Sequence, residues 1–310
     1  MLKYVVKRIL MIIPVVLAVS FIVFFIMDFV PSDPAVTVLG DGATEEQLDY
    51  YRETHGLNDP LIIRYVRYME GIVQGDLGTS YAQNRPVWDI FFEKFPNTFK
   101  LAVASVVVTV LLSIPLGILA AVKNNTWVDT VCSTFSFVGL AMPNFWLGLL
   151  LIMLFSVNLH LLPSTGAVGF KSLILPAITC GTGNMAALTR ITRSSMLDVL
   201  RKDYLRTARA KGQSEGKIIT RHAFKNAQIP VVTQIGIQMS TLLGGAVLTE
   251  RVFAWPGVGA FLVDSIQKSD FEVVTGFVIM LAIFVSIILL LVDVVYAFLD
   301  PRIKAQYSKG

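Results

Sequence analysis

Six apolar stretches, each long enough to cross a bilayer, constrain this chain more than any other feature. They run from Ile9 to Val30, Phe99 to Val122, Val131 to Val157, Leu173 to Leu197, Val231 to Thr249 and Thr275 to Leu299. A hydrocarbon core of about 30 Å takes about 20 apolar residues as helix. Lipid offers no partner to an open backbone group, so such runs fold as helices. The expectation is an all-α integral membrane protein with six transmembrane helices. Composition agrees, with 54% hydrophobic and 15% charged residues excluding an ordinary soluble domain. The first run follows Lys3, Lys7 and Arg8 as a signal peptide would, but it is about twice the usual length of such a core. Pro31-Ser32-Asp33-Pro34 follows it instead of a small-residue cleavage site.

Loop charge sets the expected orientation. Between Asp198 and Asn226, eight basic residues oppose three acidic ones, a net of +5, whereas Pro31 to Asn97 holds eleven acidic and five basic residues, a net of −6. Basic loops stay in the cytoplasm. With six spans, the N-terminal basic residues, Lys123, the +5 loop and a tail with Arg302, Lys304 and Lys309 share that side. Both termini are then cytoplasmic. The organisation read from this is a tail and first helix at 1–30, an extracytoplasmic subdomain at 31–97, and a five-helix core at 98–310 with a cytoplasmic loop at 198–228. Within 31–97, Thr44-Glu45-Glu46-Gln47 reads as a capping box. Asp59-Pro60 opens a second helical run containing Ile62, Ile63, Tyr65, Val66 and Met69.

The positive charge suits membrane topology, so no nucleic-acid partner is expected. Cys132 and Cys180 sit in apolar runs without ligand spacing and read as small core residues. His55, His160 and His222 are too scattered for a metal cluster. Gly212-Gln213-Ser214-Glu215-Gly216-Lys217-Ile218 has three residues between its glycines and an isoleucine after lysine, so it fails as a phosphate-binding loop. No catalytic residue, metal or cofactor is expected in this chain. Asp28, Glu250 and Asp293 fall near span ends, within reach of water or headgroups, and Arg190 and Arg193 are placed to snorkel. The mid-depth polar candidates are Asn144, Asn184, Gln234 and Gln238, with Ser240 and Thr241. Neutral amides line a watery path or bond between helices, and the residues alone leave both roles open.

In the basic loop, Asp203 to Gly212 reads DYLRTARAKG and is followed by a second helical stretch, Ser214 to Asn226, ending before Ile229-Pro230. Tyr204, Leu205 and Ala208 share one helix face, small Ala208 and Ala210 permit close approach, and Gly212 permits a turn a side chain would hinder. Charge alone favours an ordinary positive-inside loop. The residue pattern decides otherwise: Gly75-Asp76-Leu77-Gly78-Thr79-Ser80 with Arg85-Pro86-Val87, the DYLRTARAKG loop, Glu250-Arg251-Val252-Phe253 before Trp255-Pro256-Gly257-Val258-Gly259, and Asp300-Pro301-Arg302. On these the chain resembles the inner-membrane permease subunits of ABC importers, in the dipeptide, oligopeptide and nickel branch with a large external loop after helix one.

That resemblance implies a type I ABC importer permease fold in a bacterial or archaeal cytoplasmic membrane. Implied partners are a second homologous permease, two ABC ATPase subunits, an extracytoplasmic substrate-binding protein and membrane lipid. It makes Asp203, Tyr204, Leu205, Ala208, Ala210, Lys211 and Gly212 the loop that couples to the ATPase. Arg206 stands where the general signature has glutamate, and Ser32 where this branch has glycine. Di- or oligopeptide is the implied substrate, with nickel complexes or glutathione as alternatives. Rival classes are an ion-coupled carrier, which needs a mid-membrane charge, and a receptor or scaffold, which needs no polar path.

Overall fold

The computed structural model describes residues 2–29, 33–40 and 42–299, so Ser32 and the Asp300-Pro301-Arg302 motif lie outside the described residues. The described chain is helical. In order it forms α1 (Leu2–Asp28), α2 (Pro34–Leu39), α3 (Glu45–Thr54), α4 (Leu61–Val73), α5 (Val87–Val122), α6 (Trp127–Ala141) and α7 (Asn144–Leu151). These are followed by α8 (Lys171–Gly183), α9 (Met185–Leu200), α10 (Asp203–Ala210), α11 (Glu215–Lys217), α12 (Phe224–Gly245), α13 (Val247–Val252), α14 (Val258–Gln267) and α15 (Phe271–Leu299). Ile152–Asn158 and Ile218–Ala223 are π-helical. Among the described residues, a single bridge between Thr79 and Pro86 is the extended pairing present.

All six apolar stretches fall on helices, but not all as unbroken rods. Val6–Asp28, Val87–Val122 and Phe271–Val295 are each long and apolar enough to span alone. The third stretch begins earlier than its apolar run, at Trp127, and bends by 97° between Ala141 and Asn144. Pro143 lies in that break; proline lacks an amide hydrogen and disfavours helix in the residue before it. The fourth stretch breaks at Asn184, between α8 and α9. In the fifth, Pro230 was expected to separate a loop helix from a span. Instead α12 runs through it. Proline removes only one helical bond, here the one to Asn226 O, and the other bonds of the rod carry it through.

The chain divides into two compact units. Of the described residues, the first contains 2–5, 99–255 and 287–299. Its helix break at Asn184 frees backbone groups in an apolar stretch, and three carbonyls around the break accept from side chains. Thr109 Oγ1 donates to Gly181 O at 2.9 Å, Ser113 Oγ to Met185 O at 3.1 Å, and Gln238 Nε2 to Asn184 O at 2.9 Å. Arg193 does not snorkel. Its guanidinium grips Asp129 through two bonds of 2.6 and 2.7 Å and Asn124 at 2.8 Å, joining α9 to the start of α6. Glu250, expected near water, is fully buried in α13.

The second unit contains 6–98 and 256–286. Its core packs Leu77, Val87, Ile90, Phe91, Val258, Val273 and Phe277. The Thr44 capping box forms as expected, with Thr44 N donating to Gln47 Oε1 at 2.9 Å and Gln47 N to Thr44 Oγ1 at 3.4 Å. The Gly75–Ser80 motif is a turn closed by Ser80 N to Arg85 O and Val87 N to Gly78 O, with Gly75 and Gly78 at φ +85° and +82°. Asp270 accepts from Ser80 Oγ, Tyr81 N and Ala82 N, and Glu272 accepts from Tyr81 Oη. Burial, with the Glu272 charge beside it, pushes the Tyr81 phenol above its ordinary range. Asp270 and Glu272 thus hold a motif nearly 200 positions earlier, a pairing that sequence spacing does not reveal.

Candidate functional site

The basic loop is a closed clasp. α10 ends in two crossed backbone bonds, Gln213 N to Ala208 O and Gly212 N to Arg209 O, with Gly212 at φ +74°. This is the Schellman arrangement, which needs a left-handed residue just past the helix. Three side-chain pairs then fold the following segment back, two of them onto α10 and one onto the turn after it. Arg209 Nε bonds Glu215 Oε1 at 2.7 Å, His222 Nε2 meets Gln213 Oε1 at 2.7 Å, and Asn226 Nδ2 donates to Tyr204 Oη at 2.9 Å. The Arg209 guanidinium holds the Glu215 carboxyl below its usual range. The pair is exposed, so its contribution to stability is small.

The face expected to combine Tyr204, Leu205 and Ala208 divides in two. Leu205 is fully buried in the chain's own cluster with Met196, Ile218, Ala223, Ala227 and Ala121, and Ala208 packs against that cluster. Leu205 therefore anchors the loop to α9, α12 and α5 and presents no surface. Asp203, Tyr204, Arg206, Ala210, Lys211 and Gly212 are exposed. The small side chain at Ala208 serves packing inside the loop.

Three of the four mid-depth amides converge at the α8–α9 break. Asn144, the first residue of α7, lies against Gly183. Asn184 donates from Nδ2 to Cys180 O at 3.2 Å and accepts from Gln238. Gln238 is 2% exposed, its Nε2 is committed to the break, and its Oε1 is buried without a partner. Gln234 sits one turn earlier on α12 and is partly exposed. Asp129, missed in the sequence as a partner for Arg193, had a signal in retrospect: an acidic residue in the first turn of a helix, close to the following apolar run.

Comparison with known proteins settles what this architecture belongs to. Residues 113–305 match the family described as binding-protein-dependent transport system inner membrane component, and residues 1–102 match the N-terminal region of such membrane components. The chain belongs to this family. It is a permease subunit of an ABC importer, a class of transport subunits that are not enzymes, so the ion-coupled carrier and the scaffold are set aside. Such permeases are membrane-embedded and work with ATPase and substrate-binding protein partners.

Among its relatives is the oligopeptide transport system permease protein AppB of Bacillus subtilis (strain 168), 39% identical over 315 residues, with 98% of this chain and 100% of the relative covered. The glutathione transport system permease protein GsiC of Escherichia coli (strain K12) is 41% identical over 304 residues, covering 98% of this chain and 99% of the relative. In fold, the permease is similar to the MetNI methionine ABC transporter in inward facing conformations. That match has a TM-score of 0.57 and 18% identity, and covers 68% of this chain and 96% of the other.

Proposed function

We propose that this permease imports di- or oligopeptides across the cytoplasmic membrane as one half of a pathway completed by a second homologous permease. The observation that carries the substrate class is the end-to-end match to an oligopeptide permease. A glutathione permease matches over the same length, which keeps that tripeptide as the second reading. Residues 31–97 form an extracytoplasmic subdomain that docks the binding protein, both termini are cytoplasmic, and residues 98–310 carry the permease core.

The loop at 198–228 couples this core to two ATPase subunits. The exposed part of α10, with Asp203, Tyr204, Ala210 and Lys211 leading to Gly212, enters the ATPase. Leu205 and Ala208 pass the displacement to α9 and α12, because burial of Leu205 ties the two helices to the loop. Closure of the ATPases on ATP then moves the helix break at Asn184, around which Asn144 and Gln234 line the path. The chain supplies no cofactor of its own to this cycle.

Reconstitution tests the substrate directly. Vesicles holding both permeases, the ATPases and the binding protein are offered a labelled dipeptide, glutathione or a nickel chelate. ATP-dependent accumulation of the dipeptide in preference to the others is expected. Accumulation of glutathione or nickel alone would transfer the assignment to that substrate.

A further inference from the structure

Helix α4 is amphipathic, yet none of its residues is fully buried. Ile62, Val66, Met69 and Val73 recur at i, i+4, i+7 and i+11, which places them in one stripe along the helix. Ile62, Val66 and Val73 are 58%, 49% and 85% exposed. Arg67 lies well round the helix from the stripe, where it pairs with Asp59 at 2.5 Å, and Glu70 borders the stripe beside Val66. Ile63 sits outside the stripe.

What covers the stripe follows from where α4 is attached. Beside the stripe, Tyr65 packs edge-on against Phe21 and Phe24 of α1, with ring centroids 5.3 and 5.6 Å apart. The Tyr65 hydroxyl bonds Ser20 Oγ at 2.9 Å and donates to Leu17 O at 3.3 Å. Asp28, the last residue of α1, pairs with Arg64 at 2.6 Å.

With a rise of 1.5 Å per residue, Phe24 and Phe21 lie about 6 and 10 Å along α1 from Asp28, and Leu17 about 16 Å. Half a hydrocarbon core is about 15 Å. Tyr65 therefore reaches the middle of a span, and α4 is seated alongside its hydrocarbon part rather than above it. The span itself is bare, with 6% of its apolar window buried by protein. The apolar surface of α1 is thus left uncovered by its own chain, and α4 adds its stripe beside it. Arg64 and Arg67 have the length to return their charge to Asp28 and Asp59 at the polar boundary.

We propose that α4 is a membrane-seated helix. Its Ile62, Val66, Met69 and Val73 stripe dissolves in the acyl chains of the leaflet nearest Asp28, and its Arg67 side faces headgroups and water. The occupant of the stripe is lipid. The 31–97 segment would then be held to the bilayer by its own hydrophobic contact in addition to its covalent link to α1.

Site-directed spin labelling tests this in the assembled transporter, reconstituted in phosphatidylcholine vesicles. Nitroxides are placed singly at Ile62, Val66, Val73 and Arg67, with Ile22 on α1 as the lipid-facing reference. Labels at Ile62, Val66 and Val73 should collide with oxygen in preference to an aqueous nickel chelate, as at Ile22. The label at Arg67 should show the reverse. Equal nickel access at the stripe and at Arg67 overturns the proposal, as does shielding of the stripe from both reagents, which would mark a protein partner. Val66→Trp and Val73→Trp give a second reading. Quenching by brominated acyl chains supports the lipid seat, and quenching by aqueous acrylamide alone refutes it.

Discussion

Gly212 and Gly78 both adopt positive φ, but for different surroundings. Around Gly212 there is open space, so a side chain there meets only the backbone penalty of a left-handed residue. Gly212→Ala should weaken the closed end of α10 by about 1 kcal/mol, roughly a fivefold rise in local opening. The rise would be read as faster tryptic cleavage in the exposed loop, with global thermal stability unchanged. An unchanged cleavage rate would contradict the Schellman assignment. Gly78 adds a clash, because a Cβ there would enter the space of the Glu272 carboxylate, while one at Gly75 would meet nothing. Gly78→Ala is expected to lower the melting temperature in detergent more than Gly75→Ala. Glu272→Ala introduced beside Gly78→Ala should recover part of that loss. Equal effects at the two glycines would show that backbone conformation alone matters there. The sequence marked Gly212 as a hinge from its place after a helix, but Glu272 could not be paired with Gly78 across 194 positions.

Among elements, the break between α8 and α9 shows how polar residues at one depth divide their work. Gln238 satisfies a carbonyl that the break strands, so Gln238→Leu leaves Asn184 O without its donor. The cost of an unsatisfied buried group is about 1–3 kcal/mol. The expected outcome is a lowered melting temperature whatever the substrate. Gln234→Ala and Asn144→Ala should instead leave stability near wild type and change uptake, since neither side chain satisfies that carbonyl. Wild-type stability in Gln238→Leu would return Gln238 to the path. The apolar pattern marked where helices lie in this region because lipid demands it. The break was invisible because Gly181, Asn184 and Met185 are satisfied by Thr109, Gln238 and Ser113 on two other helices. Pro143 was a visible breaker inside the third run, and Pro230, an equally visible one, did not end α12.

For the whole molecule, the charge asymmetry of the loops carries the topology. Thr54 closes α3 in the acidic 31–97 segment, and Gln213 lies in the basic clasp. In intact cells, cysteine at Thr54 should react with an impermeant maleimide. Cysteine at Gln213 should react only once the membrane is opened. The opposite pattern would invert the orientation, and reaction of both from outside would remove the six-span arrangement.

The sequence by itself determined the class of this protein, an all-α membrane protein, because long apolar runs have one economical solution in lipid, the helix. It also carried family membership, since motifs such as GDLGTS and DYLRTARAKG are local strings. Local chemistry decided the Thr44 cap and the Gly212 turn in the same way, because their partners lie within a few residues. Only the tertiary structure decided that Leu205 is an anchor, that Arg193 is paired with Asp129, and that Glu250 is buried. It also brought the Tyr65 hydroxyl of α4 against Leu17 of α1. Each of these depends on which helices lie side by side, and periodicity along one segment reports the presence of an apolar face without saying what that face meets.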